Sequence, residues 1–205
     1  MTAKSVIQNI KSVNQYIDLG FLAKFIGMFL AFYYANHFFV ELVSPESKSY
    51  NAYIATHYNY VSWSISSLTH MSGYIGELMG VENYIKGDAL LVSSIHRGVY
   101  VKWQCIGLGI YSFWLAFILA HKMSIGRKIL YSVGGIVLMW LLNCFRIALL
   151  LYGIAHNLKP WKKSLKFIGN INHHDLYNFV CYMLIIAGIY LYYRKTSKKA
   201  AIVKD

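Results

Sequence analysis

The chain has 205 residues and a net charge of +12, and 57% of its residues are hydrophobic while only 14% are charged. A soluble domain of this length carries far more charge, so the composition excludes an ordinary soluble protein and indicates one polytopic membrane domain. The basic residues are not grouped on a soluble module, which argues against nucleic-acid binding. Together with 17% aromatic residues, they are typical of membrane helices with cationic flanks and interfacial aromatic belts.

The N-terminal segment, residues 1–20, is predicted to be a short interfacial helix and not a cleavable signal. The apolar run that follows is too long for the core of a signal peptide, and no small-residue cleavage site follows it. Apolar residues recur in the segment at helical spacing, namely Val6, Ile10, Val13 and Ile17. A transmembrane domain is predicted over residues 21–193, and a basic cytoplasmic tail over residues 194–205.

Four apolar segments are predicted to cross the membrane as helices: residues 21–43, 105–120, 129–155 and 176–193. A further segment, residues 53–80, is either a polar helix buried in a bundle or, as we favour, a re-entrant or non-crossing element. Residues 81–102 predict an extra-membrane hairpin of two short strands. The predicted fold class is an all-α polytopic membrane protein, a bundle of about four to six transmembrane helices with a short extracytoplasmic hairpin-like segment.

Basic residues indicate the orientation of these segments. The tail and the connection at residues 121–128 are rich in lysine and arginine, which predicts that both face the cytoplasm. The loop at residues 159–166 carries four lysines and would face outward, so the prediction depends on the balance of the two sides. The expected location is the cytoplasmic (inner) membrane.

Three chemically capable side chains lie at similar depth in this arrangement. At about 1.5 Å per residue, Cys105, Arg146 and His174 lie roughly 22, 27 and 30 Å from the cytoplasmic ends of their spans. The hydrocarbon core is about 30 Å thick, so all three are predicted near the outer membrane surface. A thiol, a guanidinium and an imidazole at one depth suggest nucleophilic catalysis on a membrane-anchored substrate.

Each of these residues also has a simpler interpretation. Cys105 can be a packed small hydrophobe, although its position at a helix start argues against deep burial. Arg146 can reach lipid phosphates from the interface, and His174 with Asp175 can belong to a helix N-terminus. In the catalytic interpretation, Cys105 is the nucleophile, Arg146 favours its thiolate or stabilises an oxyanion, and His174 moves the proton. The adjacent His173 competes with His174 for that role.

The remaining cysteines and histidines are predicted to be structural. Cys144 and Cys181 lie inside apolar runs and are read as packing residues, with disulfide pairing left open. A metal site of Cys105, His173 and His174 lacks supporting ligand spacing, and no cofactor is expected. The scattered histidines are read as background: His37, His57, His70, His96, His121 and His156.

Three short motifs resemble the exosortase/archaeosortase family of membrane cysteine transpeptidases. They are W-Q-C-I-G at residues 103–107, N-C-F-R-I at residues 143–147 and H-H-D at residues 173–175, and the resemblance covers roughly residues 20–195. It implies Cys105 as nucleophile, Arg146 as second essential residue and His174 as general acid/base. It also implies membrane-anchored partners with a C-terminal sorting signal, made of a short motif, a transmembrane helix and a basic cluster, which are cleaved and transferred to an envelope acceptor.

Two other functions compete with this expectation. The main rival is a non-enzymatic membrane subunit that binds lipid head groups or partner helices, with Arg146 and the lysines of residues 159–166 contacting phosphates. A haem or quinone protein ranks last, because the span at residues 129–155 contains no histidine.

Overall fold

The computed structural model describes residues 18–158, together with residues 179, 180, 182, 183, 187 and 188. Within the first of these ranges, five α-helices and three β-strands follow one another. In chain order they are α1 Leu19–Val43, α2 Ala52–His57, α3 Tyr60–Leu78, β1 Asn83–Lys86, β2 Ala89–Val92, β3 Gly98–Tyr100, α4 Leu108–Ala120 and α5 Ile125–Ala155. A short 3₁₀ turn, Trp103–Cys105, lies between β3 and α4.

Three helical segments in the described part of the chain are long and apolar enough to cross a membrane: Leu19–Val43, Trp103–Ala120 and Ile125–Ala155. They correspond to three of the four predicted spans, and the described structure is mostly helical, as predicted, with a small sheet in addition. The fourth, residues 176–193, falls largely outside the described residues, although those described within it are helical. The N-terminal segment and the basic tail also lie outside.

Two spans begin earlier than the apolar pattern predicts. Helix α1 starts at Leu19 because the Asp18 carboxylate accepts a hydrogen bond from the Phe21 N–H at 3.0 Å, which caps the first turn. Helix α5 starts at Ile125 and so includes a basic first turn. There the ammonium of Lys128 donates to the Leu119 carbonyl at the end of α4, at 2.8 Å.

The ambiguous segment, residues 53–80, forms two helices instead of one. Helices α2 and α3 are separated at residues 58 and 59. One face of α3 is buried and includes Leu68, Thr69 and Ser72. The Thr69 hydroxyl donates to the Ile65 carbonyl one turn earlier, at 2.8 Å, so a polar side chain is accommodated there. Whether α3 crosses the membrane stays a prediction.

The predicted hairpin segment, residues 81–102, forms a three-stranded antiparallel sheet in the order β1-β2-β3. The two predicted strands are present, joined by a tight turn in which Gly87 has a φ of 60°. The third strand was not predicted, because three residues are too few to show an alternating pattern. Gly98 is required at its start, since a Cβ atom there would overlap the Leu90 carbonyl of the neighbouring strand.

The described chain divides into two compact units. The first contains the chain up to Val61 together with Gly107–Leu138. In it α1 packs against α4 through interleaved phenylalanine rings, as between Phe25 and Phe113, whose centroids lie 5.1 Å apart. The second unit contains Ser62–Ile106 and the chain from Met139 onward, and it holds the residues of chemical interest.

Candidate active site

Cys105 lies in a 3₁₀ turn that follows β3 and precedes the apolar helix α4. The turn is closed by two main-chain hydrogen bonds, from Cys105 N–H to the Lys102 carbonyl at 2.8 Å and from Ile106 N–H to the Trp103 carbonyl at 3.1 Å. Gly107 comes next with a φ of 86°, a left-handed conformation that favours glycine. Cys105 therefore lies at the start of the apolar segment, as predicted, but in a 3₁₀ turn that precedes the α-helix beginning at Leu108.

The Cys105 thiol is free and buried, with 8% of the residue exposed. This corrects the expectation that a position at a helix start would keep it accessible. The residue belongs to the second unit. Burial alone is equally typical of a packing cysteine. The contacts of the turn therefore decide what the residue can do.

Asn143 joins the turn of Cys105 to the side chain of Arg146. Its amide nitrogen donates to the Cys105 carbonyl at 2.6 Å and to the Ile106 carbonyl at 3.3 Å. Its amide oxygen accepts a hydrogen bond from the Nε–H group of Arg146 at 3.1 Å. Asn143 is completely buried, so both ends of one amide are used where an unpaired polar group would be costly.

The spacing of Asn143 and Arg146 along α5 explains why their side chains can form a hydrogen bond. Residues three positions apart lie on the same face of a helix, so the amide and the guanidinium are neighbours. Arg146 is half-buried, whereas Asn143 lies fully inside. The arginine that the sequence singled out thus belongs to a hydrogen-bonded group that includes the cysteine turn.

Asn143 therefore links the main chain of Cys105 to the guanidinium of Arg146, and these are two of the three predicted catalytic residues. His174 and its neighbour His173 lie outside the described residues, so their approach to this group stays a prediction. Asn143 itself carried no predicted role, although it stands within the N-C-F-R-I motif. The signal that could have found it is an amide inside an apolar span, where it needs hydrogen-bond partners.

The other cysteines and histidines that were predicted to be structural differ in their burial and hydrogen bonds. Cys144 is free and fully buried, as expected of a packing residue. Four histidines, each in a helix or directly after its end, hydrogen-bond through Nδ1 to the carbonyl four residues earlier, which fits a structural role: His57, His70, His121 and His156. His96 instead has a φ of 51°, and its Nδ1 lies 3.1 Å from the Tyr84 hydroxyl.

A cleft of about 910 Å³ lies in the second unit, between the β2–β3 hairpin and the end of α5. One wall is formed by Leu91, residues 95–98 and Tyr100, and the other by residues 153–155, Asn157 and Leu158. Both walls contain a left-handed residue that is not glycine, because Asn157 has a φ of 53°. Sequence reasoning missed this cleft, since its walls come from distant segments.

The described residues supply a thiol and a guanidinium for chemistry. No three histidine, cysteine or carboxylate side chains in the described part of the chain are close enough together to hold a metal ion. Comparison with family models, with characterised proteins and with solved structures finds no match to this chain. The resemblance to exosortases therefore rests on the residues themselves.

Proposed function

We propose that the protein is a membrane-embedded cysteine peptidase or transpeptidase that cleaves C-terminal sorting signals of exported, membrane-anchored proteins. The observation that carries the proposal is the Asn143 amide, which bonds to the main chain of the Cys105 turn and to the Arg146 guanidinium. A buried polar group of this kind is unusual in an apolar span and is a candidate for function by default.

The chemistry assigns one role to each side chain. The Cys105 sulfur attacks a substrate carbonyl carbon, and the tetrahedral intermediate collapses to a thioester as the peptide C–N bond breaks. His174 takes the thiol proton and returns it to the leaving amine. An acceptor nucleophile or water then attacks the thioester and releases Cys105. Arg146 stabilises the negative charge on sulfur or on the oxyanion, which counts for more where water is scarce.

Location follows from the same proposal. Three membrane-competent helices support a protein of the bilayer, and the depth of Cys105 in its span supports a site at one membrane surface. We place that surface on the outer side of the cytoplasmic membrane, because the basic connection between α4 and α5 favours the inner side. A substrate anchored by its own helix would then approach within the membrane plane.

One observation favours a second function. With 8% of its surface exposed, Cys105 is less accessible than most catalytic thiols, as a packing residue would be. Under that interpretation the protein is a non-enzymatic membrane subunit that binds lipid head groups or partner helices. Arg146 would then bind lipid phosphates through its charge, and Cys105 would only fill space in the core.

Substitution of the two buried cysteines separates these functions. In cells that lack the native copy, we expect Cys105→Ala to abolish the C-terminal processing of exported anchored proteins, measured by mass spectrometry of the membrane fraction. Cys144→Ala is the matched control, because Cys144 is also free and buried in the second unit, and processing should persist. Normal processing by Cys105→Ala would refute the peptidase proposal and favour the binding subunit.

A further inference from the structure

The outer edge of β3 is the starting point for a proposal about substrate binding. The Arg97 carbonyl accepts a hydrogen bond from the Val92 N–H, and the Val101 N–H donates to the Asp88 carbonyl, each at 2.9 Å. Main-chain groups alternate in direction along an antiparallel strand. Residues 97, 99 and 101 therefore direct their N–H and C=O groups toward β2.

The main-chain groups of Gly98 and Tyr100 consequently point away from the sheet. Strand β3 is the edge strand on this side, and no residue within the described ranges hydrogen-bonds to these groups. Gly98 and Tyr100 both line the cleft, whereas the intervening Val99 does not. An exposed edge of this kind is a template for pairing with another extended chain.

The walls of the cleft suggest which chain fits there. Among the described residues of the lining, Arg97 brings a positive charge, His96 and Tyr100 are the other ionisable groups, and none carries a carboxylate. Ile95 and Leu158 contribute apolar surface. This charge favours an uncharged or acidic segment and disfavours a basic one. His96 and Asn157 both line the cleft, and both hold left-handed conformations of the kind that cluster at binding sites.

Both walls connect the cleft to the candidate active site. Gly153 lies seven residues after Arg146 on α5, which places it on the same helix face about 10 Å further along. Tyr100 precedes Cys105 by five residues. An extended chain covers about 10 Å with roughly three residues. The cleft is thus at the right distance to hold residues a few positions from a bond held at Cys105.

We propose that the cleft binds an extended, uncharged or acidic segment of the polypeptide substrate, which pairs with Gly98 and Tyr100 as a fourth strand of the sheet. This inference rests on the proposed peptidase function, because it names how that substrate is held. Main-chain pairing supplies affinity and register, and the side chains that enter the cleft supply selectivity.

Peptide binding tests the proposal independently of cleavage. The probes are overlapping short peptides from the C-terminal segments of the host's exported proteins, added to the full-length Cys105→Ala protein in detergent. Peptides that bind are then remade with single N-methylated amides. We expect methylation at every second position to weaken binding by about tenfold, the effect of one lost hydrogen bond, and methylation at intervening positions to have little effect.

A pair of variants tests the protein's side of the same contact. Tyr100→Pro removes an outward N–H group that no β2 bond requires, and proline is tolerated on such an edge. Tyr100→Ala keeps that N–H group and removes the same aromatic ring. We expect Tyr100→Pro to reduce peptide binding by about tenfold relative to Tyr100→Ala, with the thermal midpoints of the two proteins similar.

The outcomes separate this inference from the proposed function. Absence of peptide binding, or binding that ignores both the methylation pattern and Tyr100→Pro, overturns the inference. The inference is also overturned if anionic phospholipid vesicles displace every bound peptide and Tyr100→Pro leaves peptide binding unchanged. That result would assign the cleft to lipid. If peptides bind with the alternating pattern but the wild-type protein cleaves none, the inference stands and the peptidase function fails.

Discussion

Asn143 links two of the sequence motifs in the structure, the one that contains Cys105 and the one that contains Arg146. Its amide bonds to two carbonyls of the Cys105 turn and to the Arg146 guanidinium, so in the proposed mechanism it is a positioning residue and not a reacting one. The sequence identified Cys105 and Arg146 because a thiol and an arginine stand out in apolar spans. It could not identify Asn143 in this role, since the partners of an amide depend on which helices and turns pack together.

Removal of the Asn143 amide should therefore affect stability and activity together. We expect Asn143→Ala to lower the free energy of unfolding by about 1–3 kcal/mol, because buried polar groups lose their partners. Asn143→Asp keeps an oxygen for Arg146 but loses both donated bonds, so processing should fall in both variants. The measurements are thermal unfolding in detergent and the processing rate in membranes. Processing at the wild-type rate in Asn143→Asp would contradict the positioning role.

Arg146 should be required for its charge and for its geometry. We expect Arg146→Gln to lower the rate of processing by about a hundredfold, the effect of losing one group that stabilises an oxyanion. Arg146→Lys keeps the charge without the Nε–H group that bonds to Asn143, so its processing rate should lie between those of the wild type and Arg146→Gln. Arg127→Gln, an exposed arginine on the same helix, is the control and should be neutral. A wild-type rate in Arg146→Gln would remove Arg146 from the mechanism.

Among the elements, the turn before α4 sets the position of Cys105. The apolar pattern predicted the extent of the span but placed Cys105 in its helix, because hydropathy does not distinguish a 3₁₀ turn from a helical one. The left-handed Gly107 is what separates the two. Helix α5 likewise starts before the apolar boundary, because its basic first turn contributes nothing to an apolar pattern, and α1 starts two residues early at the Asp18 cap.

Two glycines near the turn allow this interpretation to be tested. Gly107→Ala forces a side chain into a left-handed conformation, and we expect it to destabilise the protein by about 1–2 kcal/mol and to reduce processing. Gly109→Ala is the matched control. The added Cβ atom would lie 3.8 Å from the side chain of Tyr33, which is an ordinary van der Waals distance. Equal thermal stability and equal processing in the two variants would contradict a specific role for the turn.

At the scale of the whole molecule, the apolar composition predicted helices that span a membrane, and three helices in the described part of the chain are long and apolar enough to do so. The β3 edge and the cleft could not be predicted from the sequence, because they arise from contacts between the hairpin and the far end of α5. The orientation in the bilayer depends on the distribution of basic residues and remains a prediction.

Labelling from one side of the membrane tests that orientation. Ser49 lies in the connection between α1 and α2, and Ser124 lies in the connection between α4 and α5, and both are exposed. In a background without reactive native thiols, we expect Ser49→Cys to react with an impermeant reagent in intact cells. Ser124→Cys should react only after the membrane is permeabilised. The reverse pattern would place Cys105 near the cytoplasmic surface and contradict processing of exported proteins.

The most direct test of the whole interpretation is the covalent state of Cys105 during turnover. The full-length protein, isolated from cells that produce its anchored substrates, would be acid-quenched, digested and analysed by mass spectrometry with and without hydroxylamine. We predict a hydroxylamine-sensitive acyl adduct on Cys105 that is absent from Cys144 and lost in Arg146→Gln. A Cys105 that stays unmodified while processing continues would show that the thiol is not the nucleophile.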